Sequence, residues 1–203
     1  MKLGKIGALC KAYKRFVVYN VGHGNQWISD GYAAYPLYEL PPLSEDNVFA
    51  IFDIPEDKRG KMYFDERTDA PLGVNFADSV EDEVEIRACA IGIIWQGAIY
   101  LPFKSREGVL FVDKKYLSPF EEIPVLYERW TPGGTPYIVA KRGMLLEGII
   151  TPAGIATSEL ADLLCEVGEQ TAEVAVDNTS SERDVEAPSP TSAEEPEQEE
   201  MEL

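Results

Sequence analysis

The sequence predicts an α+β fold: a mostly antiparallel sheet with an N-terminal amphipathic helix, two further short helices and an acidic disordered C-terminal tail. Three observations carry this. Leu3, Ile6, Leu9, Cys10 and Tyr13 recur at helical spacing at the start of the chain. Many short runs of β-branched and aromatic residues follow, separated by Gly, Pro, Asn and Asp. The charge is divided unevenly. The 203 residues carry a net −18, yet residues 1–165 hold 17 bases against 23 acids, while residues 166–203 hold one base, Arg183, against 13 acids. A folded domain over 1–167 and a tail over 168–203 are expected.

The first helix, residues 2–14, bears Lys11, Lys14 and Arg15 opposite its apolar stripe, with Lys2 and Lys5 on the flank. The first fifteen residues contain five bases and no acid. Gly4 and Gly7 weaken its first turns, since glycine costs about 1 kcal/mol against alanine inside a helix. The helix must therefore dock on something to persist. Residues 15–21 read as a strand and Gly22-His23-Gly24-Asn25 as a turn. Residues 26–29 read as a second strand, with Asp30-Gly31 as a tight turn or bulge before the β character of 32–37. Pro41-Pro42 stops the sheet. Ser44 caps a helix over 44–53, with Glu45 and Asp46 in its first turn and Val48, Phe49, Ile51 and Phe52 as its apolar face.

The charged stretch 56–69 suggests a short helix around 57–62. Residues 86–101 read as one strand, or as two around Gln96-Gly97, and 108–113 as another. Lys114–Leu117 forms a turn or short helix before Pro119. Strands over 125–130 and 136–141 flank the hairpin turn Thr131-Pro132-Gly133-Gly134, and 144–150 adds a last strand. Leu160, Leu163 and Leu164 give a helical stripe over 158–167. Residues 178–203 lack Phe, Tyr and Trp and bury too little to offset the entropy of ordering.

Cys10, Cys89 and Cys165 are too scattered for a disulfide framework or a zinc site, which suits reduced thiols in the cytoplasm. Lys2 and Lys5 precede no apolar run or cleavage site, so no signal peptide is expected. The apolar stretch 88–101 falls short of the ~20 residues a membrane helix needs. No membrane association is expected.

Catalytic chemistry finds little support. His23 is the single histidine, and Ser29 and Asp30 are the nearest partners for a hydrolase-like arrangement. Glu81, Asp82, Glu83 and Glu85 lack the spacing of a calcium loop and read as a solvated approach to a strand. No phosphate-binding loop precedes a helix. No cofactor and no metal are expected, and the enzyme reading is the weakest.

The stretches RFVVYN (15–20), QWISDGYAAYPL (26–37), VLFVDKKYLSPF (109–120) and PYIVAKRGMLLEGIITP (136–152) resemble small uncharacterised proteins encoded by bacteriophages and prophages. The order of a basic helix followed by strands around 16–20 and 26–35 is similar to DNA sliding-clamp domains. There the first helix lines a DNA channel and leads into an outer sheet. VLFVDKKYL resembles the strand entering a second channel helix, and MLLEGIITP the final apolar strand. The last residues, Gln198-Glu199-Glu200-Met201-Glu202-Leu203, resemble a clamp-binding peptide, with Gln198, Met201 and Leu203 as the contacting positions.

The expected function is a non-enzymatic phage or prophage accessory protein that meets DNA through Lys2, Lys5, Lys11, Lys14 and Arg15, or meets a replication or recombination protein. The alternative is a protein-interaction module whose acidic tail binds a basic partner or imitates nucleic acid.

Overall fold

The computed structural model describes residues 1–154 apart from 22–25, 39, 72 and 90. The expected turn at His23, the helix over 158–167 and the acidic tail with Gln198, Met201 and Leu203 lie outside the described residues.

Helix α1, Leu3–Tyr13, buries Ile6, Gly7, Leu9 and Cys10 and ends where Lys14 takes a left-handed conformation (φ 52°). Its glycines have opposite surroundings. A Cβ on Gly4 would meet nothing within 4 Å, whereas one on Gly7 would overlap Phe52 Cδ1. Gly7 thus lets α1 close onto helix α2, Glu45–Ile51, which starts at the Ser44 cap.

Strands β1 (Arg15–Asn20), β2 (Gln26–Ser29) and β3 (Ala33–Leu37) follow as an antiparallel set. At the β2–β3 bend Ser29 Oγ accepts from the Gly31 N–H, and Asp30 Oδ1 accepts from the N–H groups of Tyr32 and Ala33. The charged stretch 56–69 departs from expectation. Helix α3 covers only Glu56–Arg59, and Tyr63–Arg67 forms strand β4, which pairs in parallel with β1. Its Asp65, Glu66 and Arg67 suit a strand at the edge of the sheet, where charge suppresses further pairing.

Strand β5 is Val84–Ile86, and β6 (Ile93–Trp95), β7 (Ala98–Ser105) and β8 (Gly108–Asp113) make a second, three-stranded sheet. Gln96 and Gly97 both have positive φ (49° and 80°), the signature of the two-residue turn that follows strand twist. A 3₁₀ turn occupies Lys114–Leu117, and β9 (Val125–Trp130), β10 (Pro136–Arg142) and β11 (Leu145–Ile150) complete the main sheet. Its order is β4-β1-β2-β3-β11-β10-β9-β5. Apart from β1–β4, every pairing is antiparallel.

Both faces of the main sheet are covered, which is why β1 reads as a continuous apolar run rather than an alternation. On one face Phe16, Val18, Ile28 and Tyr35 pack with Ile6, Leu9, Val48, Phe49 and Phe52 of the helices. On the other, Val17, Tyr19, Trp27, Val139, Leu146 and Ile149 lie under Val74 and Phe76. Phe76 meets the Trp27 ring edge-on at 5.0 Å.

The segment 73–83 is held on that second face by buried charge. The Arg129 guanidinium, 1% exposed, donates to Glu83 Oε2 and to the carbonyls of Asn75, Ala77 and Asp78. Lys141 Nζ donates to Glu83 Oε1. This corrects the solvated reading of Glu83: it is the counter-charge of two buried cations. Burial pushes its carboxyl up, but the hydrogen bonds from Lys141 and Arg129 outweigh that and hold it below its ordinary range.

No described helix is long and apolar enough to cross a membrane.

Candidate nucleic-acid interface

All five expected contact residues are exposed: Lys2, Lys5, Lys11, Lys14 and Arg15. None of their side chains forms an ion pair among the described residues. They do not form one cluster. Lys2 and Lys5 sit at the start of α1 and Lys14 at its end, so that at ~1.5 Å rise per residue Lys14 is about 18 Å along the axis from Lys2 and about 14 Å from Lys5. At the first end the Met1 ammonium pairs with Glu121 and, with Lys2, lowers the Glu121 carboxyl pKa. The second end gathers Lys11, Lys14 and Arg15.

At that second end the chain reversal brings three tyrosines to the surface. The Lys14 carbonyl accepts from the Tyr63 N–H at 2.8 Å, so β4 starts directly beside the end of α1. The Arg15 guanidinium lies over the Tyr63 ring, 5.4 Å from its centroid. It also fills the space where Gly31, at φ +101°, would carry a side chain: a Cβ there would lie 3.2 Å from Arg15 Nη1. Only glycine therefore combines that backbone with that neighbour. Next to Gly31, the Tyr32 ring packs on Tyr13 with centroids 5.1 Å apart. Tyr13 Oη accepts from Lys115 Nζ at 2.9 Å, and Lys115 also lies over the Tyr13 ring.

The result is a ribbon of two contact groups, Arg15 over Tyr63 and Tyr32–Tyr13–Lys115, joined where Arg15 lies against Gly31, the residue before Tyr32. Its tyrosines are half exposed: Tyr13 41%, Tyr32 51% and Tyr63 49%. This corrects the placement of Tyr13 on the buried stripe of α1. The stripe is Ile6, Leu9 and Cys10, and Tyr13 turns out to solvent because Tyr32 and Lys115 offer it partners there.

Acids lie beside the ribbon. Asp113 pairs with Lys115 at 2.5 Å, and Asp65 accepts from Arg67 Nε at 2.6 Å and from Tyr63 Oη. Burial works against the Lys115 ammonium, but hydrogen bonds with Asp113 and Tyr13 outweigh it and raise its pKa. Asp30 is buried beneath Tyr32, its Oδ2 without a partner among the described residues. Lys11, Lys14 and Arg15 form no ion pair among the described residues.

Sequence reasoning missed Tyr32, Tyr63 and Lys115. Two signals pointed toward them: a tyrosine following Asp-Gly in a turn, and the Lys114-Lys115 doublet. Neither revealed that these residues meet the end of α1. The hydrolase candidates are only partly described. Ser29 and Asp30 are buried and hold the β2–β3 bend through the bonds above, while His23 lies outside the described residues.

Apart from this surface, a concavity of about 1,090 Å³ opens beside the three-stranded sheet, with Ile86, Leu101, Phe103, Phe120 and Leu126 among its lining. Among the described residues no group of three or more His, Cys, Asp or Glu side chains is placed to hold a metal ion. Compared with known proteins, the chain matches no family model, no curated protein and no solved structure.

Proposed function

We propose that this chain is a non-enzymatic accessory protein that contacts nucleic-acid phosphates through the basic end of α1, in DNA transactions of a phage or prophage in the cytoplasm. The observation that carries the reading is the exposure of Lys11, Lys14 and Arg15 with no ion pair among the described residues. Three exposed cations without ion-pair partners among the described residues, in a chain of net −18, form a local positive surface against the overall field. Phosphate contacts of this kind are independent of base sequence and release counterions. A replication or recombination protein bound to the same nucleic acid is the natural partner class, and the resemblance to sliding-clamp domains belongs with that role.

The test is fluorescence anisotropy of the full chain with labelled oligonucleotides at about 50 and about 200 mM salt. Binding should weaken as salt rises. The triple change Lys11→Gln, Lys14→Gln, Arg15→Gln should flatten the log–log salt slope by about 0.7–0.9 for each phosphate no longer neutralised. Absence of binding at the lower salt, or a slope untouched by the triple change, rejects the proposal.

A second reading rests on the 13 acids of residues 166–203, which suit a basic protein partner. A partner captured equally well after deletion of 168–203 rejects it.

A further inference from the structure

We infer that the ribbon Tyr63–Arg15–Tyr32–Tyr13–Lys115 is a stacking platform for the unpaired bases of a single-stranded nucleic acid. The inference rests on the proposed phosphate contacts and adds the form of nucleic acid.

Ring faces are the reason. Exposed tyrosines cost nothing singly, but three half-exposed rings interleaved with cations make a surface of unusual composition. Bases in a duplex hide their faces in the stack, so a duplex can use the cations and not the rings. A single strand uses both: its phosphates meet Lys11, Lys14 and Arg15, and its splayed bases lie against tyrosine faces. Two platforms are present. One is Tyr63, over whose ring the Arg15 guanidinium already lies, held by the cation–π attraction that also suits a planar base. The other is the tilted Tyr13–Tyr32 pair, at 50° between planes, with the Lys115 ammonium beside it. Of the neighbouring acids, Asp113 is engaged by Lys115 and Asp65 by Arg67, and these two repel a polyanion less than free carboxylates would, while the buried Asp30 keeps one oxygen without a partner among the described residues. Arg15 belongs to both the charge and the ring system, and its seat against Gly31 fixes where the two meet.

The experiment separates rings from charge. Anisotropy is measured on the full chain with three labelled probes of equal length: an oligothymidylate, an abasic strand with the same phosphates, and a duplex. The oligothymidylate should bind more tightly than the abasic strand by about 5- to 150-fold per platform engaged. The double change Tyr32→Ser, Tyr63→Ser should remove most of that preference, while abasic and duplex binding, which use the cations, should weaken by much less, the remaining loss reflecting the Arg15 guanidinium released from Tyr63. Both side chains are half exposed, so the fold persists, and unchanged thermal unfolding checks this. Equal affinity of the unaltered protein for oligothymidylate and abasic strand overturns the inference and leaves the phosphate reading standing. No binding to any probe overturns both.

Discussion

Arg129 Nη2 lies 2.6 Å from Glu83 Oε2, joining residues 46 positions apart on the face of the sheet away from α1. With Lys141 on the other carboxylate oxygen, Glu83 balances two cations that are 1% and 5% exposed. The segment 73–83 covers Trp27, Tyr19 and Leu146 through this arrangement, so its energetics bear on the whole second layer of the core.

Glu83→Gln should destabilise the domain by about 3 kcal/mol, because it leaves two buried cations without their counter-charge. Urea unfolding measures it. The loss should exceed that of Glu85→Gln, whose carboxylate pairs with Arg87 at the surface, where a bridge is worth about 0–1 kcal/mol.

The same pair sets an acid limb. The folded carboxyl of Glu83 lies below its ordinary value of 4.5, so its contribution is present above that pH and is lost as pH falls through the lower folded pKa. The stability gap between the unaltered protein and Glu83→Gln should therefore hold near neutrality and shrink below about pH 4.5. A gap that stays constant through this range contradicts the linkage.

The two glycines of α1 should respond oppositely to alanine. Gly4 has open space at its Cβ position, so Gly4→Ala should stabilise by up to about 1 kcal/mol through helix propensity. Gly7→Ala places a methyl against Phe52 Cδ1, and the buried Phe52 ring has to shift. It should cost about 1–3 kcal/mol, read as a fall in thermal midpoint beside a rise for Gly4→Ala.

Alkylation should distinguish Cys10 from Cys89. Burial pushes the Cys10 thiol up, the nearby Asp30 charge adds to it, and the side chain is 1% exposed. Cys89 is exposed. Iodoacetamide on the native protein, read by peptide mass mapping, should label Cys89 and reach Cys10 only after denaturation.

Local pattern was enough for the elements whose signals are short-range. The stripe of α1, the Ser44 cap of α2, the Thr131–Gly134 turn between β9 and β10 and the apolar run of β1 all follow from spacing or turn chemistry within a few residues. The α+β class and the mostly antiparallel sheet follow from those elements together. Strand β4 was not legible, because Tyr-Phe-Asp-Glu-Arg has no strand alternation and becomes a strand only by pairing with β1 across more than forty residues. Glu83 carried the same charge as its acidic neighbours, and only the folding of 73–83 over Arg129 and Lys141 made it the half-buried partner of two buried cations.

The candidate interface divides the same way. The sequence by itself determined the cations, since five bases without an acid in fifteen residues, set around an apolar stripe, leave a helix no other way to lie than charge outward. Tertiary structure decided the rest. Tyr63 reaches Arg15 only through the parallel β1–β4 pairing, and Tyr32 reaches Tyr13 only because the β2–β3 bend brings Gly31 against Arg15. Those meetings depend on backbone pairing between distant segments, which is selected by burial of both faces of the sheet and not by any preference of the tyrosines themselves.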